Sequence, residues 1–219
     1  MIINKPKIAI IDYGVGNLYS LTRVFKFFGI EATIAEEAGA LEQADGIILP
    51  GVGSFEAGMR GLKIRSLEKK IKEIALSGKP MLGICLGAQI MLTEGHEFGN
   101  FKGLDIIKGR VVHFSVLADK EKVPHVGWNT ISPLKDSAWP GTIFDSFNET
   151  DQVYFVHSYI LEPEDKEDIL ALTTYGGQTF CSAFKKGNIY GCQFHPEKSG
   201  PAGLKIIKNF INLIEYGKN

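Results

Sequence analysis

The segment Pro80-Met81-Leu82-Gly83-Ile84-Cys85-Leu86-Gly87-Ala88-Gln89-Ile90-Met91-Leu92 constrains this chain more than any other stretch, because it joins an apolar strand to a helix through a very tight corner. In a Gly-x-Ser-x-Gly nucleophile elbow, the glycines two residues either side of the nucleophile let the neighbouring chain pass without a side-chain clash. Here Cys85 holds the place of the serine. At the start of a helix, free N–H groups and the positive end of the dipole favour thiolate over thiol. The N–H of Leu86, the next residue, is placed to form one half of an oxyanion hole. A cysteine in an apolar run also fits an inert core position, so a second element has to decide.

That element lies far downstream, in Gln193-Phe194-His195-Pro196-Glu197. Pro196 fixes φ between an imidazole and a carboxylate. An extended x-Pro-x segment places both side chains on one side, so that Glu197 holds one ring nitrogen of His195 while the other faces Cys85. Nucleophile, base and orienter then follow in the order Cys, His, Glu.

With 219 residues and 44% hydrophobic content, the chain suffices for one domain, residues 1–219, with a central sheet covered on both faces. Residues 7–12 read as a parallel strand buried on both sides. A helix capped by Asn17 carries Leu18, Leu21, Val24, Phe25 and Phe28 at helical spacing and stops at Gly29. Strands at residues 30–35 and 46–49 complete a β-α-β-β beginning. A helix marked by Leu67, Ile71 and Ile74 and closed by Gly78 leads to the elbow strand at residues 81–84. This alternation predicts an α/β fold, a mainly parallel sheet with its site at the carboxyl ends of the strands. Beyond Gly103, residues 104–114, 128–131, 152–159, 169–174, 180–184 and 188–194 read as strands with few helices between them, which predicts antiparallel pairing in the second half. A final helix at residues 203–215 turns Leu204, Ile207, Phe210, Ile211 and Ile214 inward. The Ser-, Asp- and Gly-containing segment 136–151 reads as a surface excursion.

Lys and Arg number 24 against 25 Asp and Glu, a net charge of -1, so no nucleic-acid or anionic-membrane partner is called for. No apolar run approaches the roughly 20 residues of a membrane span, and the first residues lack a signal-peptide pattern, which predicts a cytoplasmic location. Three irregularly spaced cysteines fit a reducing compartment. A hairpin turn at Gly187-Asn188 sets Cys181 opposite Phe194 and leaves Cys181 and Cys192 out of register as packing residues. Gly14-Val15-Gly16-Asn17-Leu18-Tyr19 has the outline of a dinucleotide fingerprint, but Tyr19 occupies the third glycine's place. No phosphate loop, zinc motif or cofactor motif is present, and no metal site is expected. His96, His113 and His125 read as surface or structural residues. His157 ends a strand in Tyr154-Phe155-Val156-His157-Ser158-Tyr159, where it fits a place beside the site and a packing role equally well.

The elbow Gly83-Ile84-Cys85-Leu86-Gly87-Ala88-Gln89 and Phe194-His195-Pro196-Glu197 together resemble the class I (triad) glutamine amidotransferases. Across nearly the whole chain the sequence also resembles the branch formed by the glutaminase subunits of imidazole glycerol phosphate synthases. That likeness is carried by Ile11-Asp12-Tyr13-Gly14-Val15-Gly16-Asn17-Leu18, Leu49-Pro50-Gly51-Val52-Gly53-Ser54-Phe55, Val123-Pro124-His125-Val126-Gly127-Trp128-Asn129, residues 154–159 and His195-Pro196-Glu197-Lys198-Ser199-Gly200. Ala88 departs from the Met or Gln more usual there, and segment 136–151 looks longer than usual. The resemblance implies a flavodoxin-like fold and a Cys85, His195, Glu197 triad. It implies an oxyanion hole from Val52, Gly53 and Leu86, and L-glutamine bound near Gly51, Gly53, Gln89, Ser158 and Tyr159. It also implies no cofactor and a barrel-shaped cyclase partner in a heterodimer, docked around Pro124, His125, Val126, Gly127, Trp128, Asn129, Tyr154 and Lys198. Two other readings remain open: a glutaminase feeding another synthase, such as a sugar amidotransferase, and a catalytically silent regulatory subunit.

Overall fold

The computed structural model describes residues 5–114, 121–134, 139–148 and 150–217. Short, wholly apolar strands form its centre. In β1 (Ile8–Ile11) every residue is buried, and alternate side chains enter different layers: Ile8 and Ile10 pack on one face of the sheet, Ala9 and Ile11 on the other. Such a strand needs cover on both sides, which the helices supply. After β1 come α1 (Leu18–Phe27), β2 (Thr33–Ala35), α2 (Ala38–Gln43), β3 (Gly46–Leu49), α3 (Phe55–Ile64), α4 (Glu68–Leu76), β4 (Met81–Ile84) and α5 (Leu86–Ile90). The second half supplies β5 (Leu92–Gly95), β6 (Phe101–Lys102), β7 (Ile107–His113), β8 (His125–Thr130), β9 (Ser132–Pro133), β10 (Gln152–His157) and β11 (Tyr159–Pro163). It ends with β12 (Ile169–Tyr175), β13 (Gln178–Lys186), β14 (Ile189–Cys192) and α6 (Gly200–Tyr216).

The main sheet runs β2-β1-β3-β4-β14-β13-β11-β7-β5-β6, with β12 on β13 and β9 on β12. The pairs among β2, β1, β3, β4 and β14 are parallel, as is β5 with β7; the other pairs in the second half are antiparallel. β8 and β10 form a separate two-stranded antiparallel ribbon. Leu21 and Phe25 of α1 and Ile207, Phe210, Ile211 and Ile214 of α6 fill one layer; Phe55, Leu62, Ile71 and Ile74 of α3 and α4 fill the other. The Asn17 side chain accepts from the Ser20 N–H at the start of α1, and Gly29 takes φ +70° after its end, as the sequence suggests. The turn at Gly187-Asn188 pairs Lys186 with Ile189 and Ala183 with Cys192, while Cys181 faces Leu161 and Leu172. All three cysteines are free and buried. Among the described residues no helix is long and apolar enough to cross a membrane.

Three expectations of the fold need correction. The opening is not β-α-β-β, because α2 stands between β2 and β3; it is short, lacks a side-chain cap and buries only Leu41, which leaves no periodicity to read. α3 also goes beyond the sequence reading; its Gly58 lacks the Cβ that would crowd Leu86 and Ile90 of α5. Residues 152–159 are two strands, since the chain leaves the ribbon at Ser158 and enters the main sheet as β11.

The described part of segment 136–151 is not a surface excursion. Trp139, Ile143, Phe144 and Phe147 are buried together, and the Trp139 indole N–H donates to the Leu170 carbonyl at 3.0 Å. Turn-rich composition concealed a cover for the core; residues 136–138 and 149 lie outside the described residues. Trp139→Ala should therefore cost about 3–5 kcal/mol, read as a lower urea midpoint. A loop over solvent would lose about 0.5 kcal/mol at most.

Candidate active site

The elbow forms because β4 and β14 run parallel and in register, Gly83 opposite Gly191 and Ile84 opposite Cys192. Cys85, just past β4, donates its N–H to the Cys192 carbonyl at 2.7 Å and takes φ +53°, ψ -111°, a conformation that costs a non-glycine residue about 1–3 kcal/mol. The flanking glycines are obligatory. A Cβ at Gly83 would sit 2.9 Å from the Ala88 backbone and the Met91 sulfur, and one at Gly87 would overlap the Leu49 carbonyl. Gly51 is required because a Cβ there would press on the Tyr13 hydroxyl and the Gly87 N–H. Gly53 is the residue with a left-handed backbone, φ +106°. The helix after the nucleophile, α5, has only five residues, so its macrodipole is small and local donors carry more of the electrostatics. Leu86 opens that helix, which leaves its N–H without an intrahelical acceptor.

His195 lies beyond the end of β14. Its N–H donates to the Tyr154 carbonyl at 2.9 Å, and its carbonyl accepts the Ser199 hydroxyl at 2.6 Å. Its Nδ1 meets Glu197 Oε1 at 2.8 Å. The segment is not extended as expected. Pro196–Lys198 is a 3-10 turn, closed by Lys198 N–H to His195 O, and the turn brings the carboxylate back to the ring. Nε2, the other ring nitrogen, is buried and makes no hydrogen bond to any described residue, yet Cys85 is close enough to act on it. Burial pushes the imidazole pKa down, but the Cys85 sulfur and the Glu197 carboxylate reverse this and raise it to about 9. Cys85 in turn raises the Tyr13 phenol, already pushed up by its burial.

These groups open on a cleft of about 700 Å³ lined by Val52, Gly53, Cys85, Gln89, Ser158, Tyr159, His195, Pro124 and Lys198 among the expected residues. Gly51, Leu86 and Glu197 stand behind this lining. Glu97, Phe98, His113, Val156 and His157 also line it. Glu97 escaped the sequence reading because only the fold brings it here; its Oε2 accepts the Phe55 N–H at 2.6 Å. Among the described residues no group of three or more His, Cys, Asp or Glu could hold a metal ion.

Of the residues expected at a partner surface, Val126 and Trp128 are half exposed on β8, and Trp128 stacks edge-on against Tyr154 at 5.8 Å. Lys198 is exposed, with its ammonium 5.9 Å above the Tyr154 ring, and the Asn129 amide donates to Thr174 O at 3.1 Å. His125 is the exception. Its side chain is 2% exposed, stacked between Phe155 and Tyr175, because alternation along β8 turns it inward. Its Nδ1 is 3.2 Å from His157 Nε2, and His157 Nδ1 is 2.8 Å from the Tyr159 carbonyl. A carbonyl only accepts, so His157 carries its proton on Nδ1 and receives one from His125. His157 thus both packs and lines the cleft.

The sequence pattern described as "Glutamine amidotransferase class-I" matches residues 9–213 of this chain. The chain is 44% identical over 210 residues to "Imidazole glycerol phosphate synthase subunit HisH 1" of Legionella pneumophila (strain Paris), covering 94% of this chain and 99% of the relative. It is 41% identical over 204 residues to the HisH subunit of Chlorobaculum tepidum, covering 93% and 98%. The solved structure of PurLQS from Thermotoga maritima has the same fold, with a TM-score of 0.70 at 18% identity over 95% of this chain and 99% of that one.

The buried histidine pair makes stability depend on pH. In the unfolded chain both imidazoles titrate near 6.5; burial lowers His157 to about 3 and His125 to about 4 in the fold. The folded state then binds fewer protons, so the contribution is complete above about pH 6.5 and declines as pH falls towards 4 and then 3. Urea unfolding between pH 7 and 5 should show this loss, on the order of 1 kcal/mol per pH unit per histidine. His157→Gln should flatten the dependence, and a variant with the wild-type slope would contradict the assignment.

Proposed function

We propose that this chain, which belongs to the class I glutamine amidotransferase family, is the glutaminase subunit of an imidazole glycerol phosphate synthase. The observation that carries this reading is the juxtaposition of Cys85, His195 and Glu197 at one cleft, in a chain 44% identical to a HisH subunit over nearly its full length.

L-Glutamine enters the cleft with its side-chain amide at Cys85. The sulfur attacks the amide carbon as the thiol proton passes to His195 Nε2, and the N–H groups of Leu86 and of the Val52-Gly53 segment receive the oxyanion. His195 returns the proton to the departing nitrogen, ammonia leaves, and a glutamyl thioester remains. Water, deprotonated by the same imidazole, attacks the thioester; the C–S bond breaks and glutamate is released. Glu197 holds Nδ1–H and stabilises the imidazolium. Gly51, Gly53, Gln89, Glu97, Ser158 and Tyr159 hold the amino-acid end of the substrate.

Ammonia set free in water is protonated, so its exit calls for a roof. The ribbon face bearing Val126, Trp128 and Tyr154, with Pro124, Gly127, Asn129 and Lys198 at its rim, is the surface for the cyclase subunit. That barrel-shaped partner uses the ammonia to form imidazole glycerol phosphate and an aminoimidazole carboxamide ribotide. Trp and Tyr carry interface energy and exclude water. The cytoplasm is the proposed location.

Cys85→Ala should lower glutamine-dependent turnover of the complex by about 10⁴-fold or more and leave turnover with ammonium salt unchanged. A variant within about tenfold of wild type on glutamine would remove Cys85 from its role.

Lys198→Glu should weaken the heterodimer about tenfold or more and uncouple glutamate release from product formation. Lys63→Glu on the exposed face of α3 should do neither. Titration with the partner reads both, and full coupling in Lys198→Glu would place the interface elsewhere.

A further inference from the structure

The side chain of Gln193 is fully buried directly beneath the nucleophile, and its polarity is fixed by its neighbours. The reasoning starts from the Tyr159 carbonyl, which can only accept. Gln89 lies 3.3 Å from it, so Gln89 turns its Nε2 towards it. The same NH₂ group reaches the Gln193 side chain, also at 3.3 Å, so Gln193 presents its Oε1 there. Its own NH₂ group then has to face the other way, towards Cys85, and Gln193 Nε2 is 4.0 Å from Sγ, the outer limit of an N–H···S contact. His157 donates to the same Tyr159 carbonyl and closes the anchor from the other side. Both amides are thereby oriented without reference to any ligand.

We propose that Gln193 is a further catalytic residue, whose side-chain amide donates a hydrogen bond to the Cys85 thiolate while its oxygen holds Gln89 with its own Oε1 turned to the cleft. This rests on Cys85 being the nucleophile.

The arrangement distinguishes the two states of the sulfur. As a thiol, Cys85 has an acceptor in the Val156 carbonyl, also 4.0 Å from Sγ. As a thiolate it repels that carbonyl and is served by donors alone, namely Gln193 and protonated His195. A hydrogen bond to a charged group contributes more than one to a neutral group, so the donor favours the reactive form. It also serves the second half of the reaction, when the sulfur leaves the acyl carbon carrying its electron pair. The short helix α5 leaves this task to side chains.

The test is alkylation of Cys85 by iodoacetamide, in which the thiolate forms an S–C bond and iodide departs. It needs no turnover, and peptide mapping separates Cys85 from the buried Cys181 and Cys192. Other ionisable groups face the sulfur, its base or the cleft they share: His195, with Glu197 behind it, Tyr13 from the end of β1, His157 from β10, His113 from β7, Tyr159 from β11, and Glu97 and Lys198. All are the same in variant and wild type. Gln193→Met keeps the bulk and removes the donor. At pH 7 its alkylation should be about tenfold slower than wild type and should converge with it in alkaline buffer, while KM for glutamine rises as Gln89 loses its partner. A folded Gln193→Met alkylated at the wild-type rate at pH 7 overturns the proposal.

Should that variant not fold, the Gln193 side-chain amide protons of the wild-type chain are followed by NMR. Their resonances should move with the same pH midpoint as the alkylation rate and stay fixed in Cys85→Ala; immobile wild-type resonances overturn the proposal equally. If Cys85 were not the nucleophile, the fully alkylated wild-type chain would keep its glutaminase activity, an outcome separate from both.

Discussion

Everything at the site depends on the parallel pairing of two four-residue strands, β4 and β14, from distant parts of the chain. The register that sets Ile84 against Cys192 puts Cys85 next to the residues that continue β14, and the Cys85 N–H to Cys192 carbonyl bond locks the corner. A slip of one residue would turn every side chain of the strand to the other face, carrying the base away from the nucleophile. Gly83 and Gly191 face each other in this ladder. The first has no room for a Cβ, and a Cβ at the second would strike the Phe184 ring, so the pairing tolerates no ordinary side chain at either place.

Two histidines a few ångströms from the same cleft are driven in opposite directions. His195 is raised to about 9 although it is buried, because the Cys85 sulfur and the Glu197 carboxylate act on it; His157 is lowered to about 3 because burial, offset only in part by the Tyr159 carbonyl, is reinforced by His125 and His195. Burial is common to both, and the charge of the neighbours decides. The result is one imidazole able to carry a proton through a reaction cycle and another that holds a single tautomer as part of the frame.

Much of this was legible in the sequence, and the reasons differ by residue. Cys85, His195 and Glu197 could be found because their motifs encode local geometry, a crowded corner and a proline-fixed turn. Even there, the turn proved to be 3-10 and not extended. The apolar run of β1 read correctly as a strand buried on both faces, and those of β3 and β4 read correctly as strands. Trp139, Phe144 and Phe147 did not read as core, since a segment rich in turn residues can still bury aromatics when no period organises them. The place of Glu97 in the cleft was invisible, since it depends on the packing of the β5–β6 loop against the start of α3. His125 read as surface or structural, and the resemblance set it at the partner surface with its neighbours; strand alternation, applied residue by residue, separates it from Val126.

The burial of the cysteines has a consequence for how the protein ages in air. Cys181 and Cys192 are enclosed by the sheet, where burial pushes both thiols up and keeps them protonated, while Cys85 borders the cleft. Oxidation to a sulfenic acid requires a thiolate that oxidant can reach, so damage concentrates on one sulfur. Among the described residues no second cysteine lines the cleft to capture it as an internal disulfide. Early loss is restored by an added reductant, and later loss, at the sulfinic stage, is permanent.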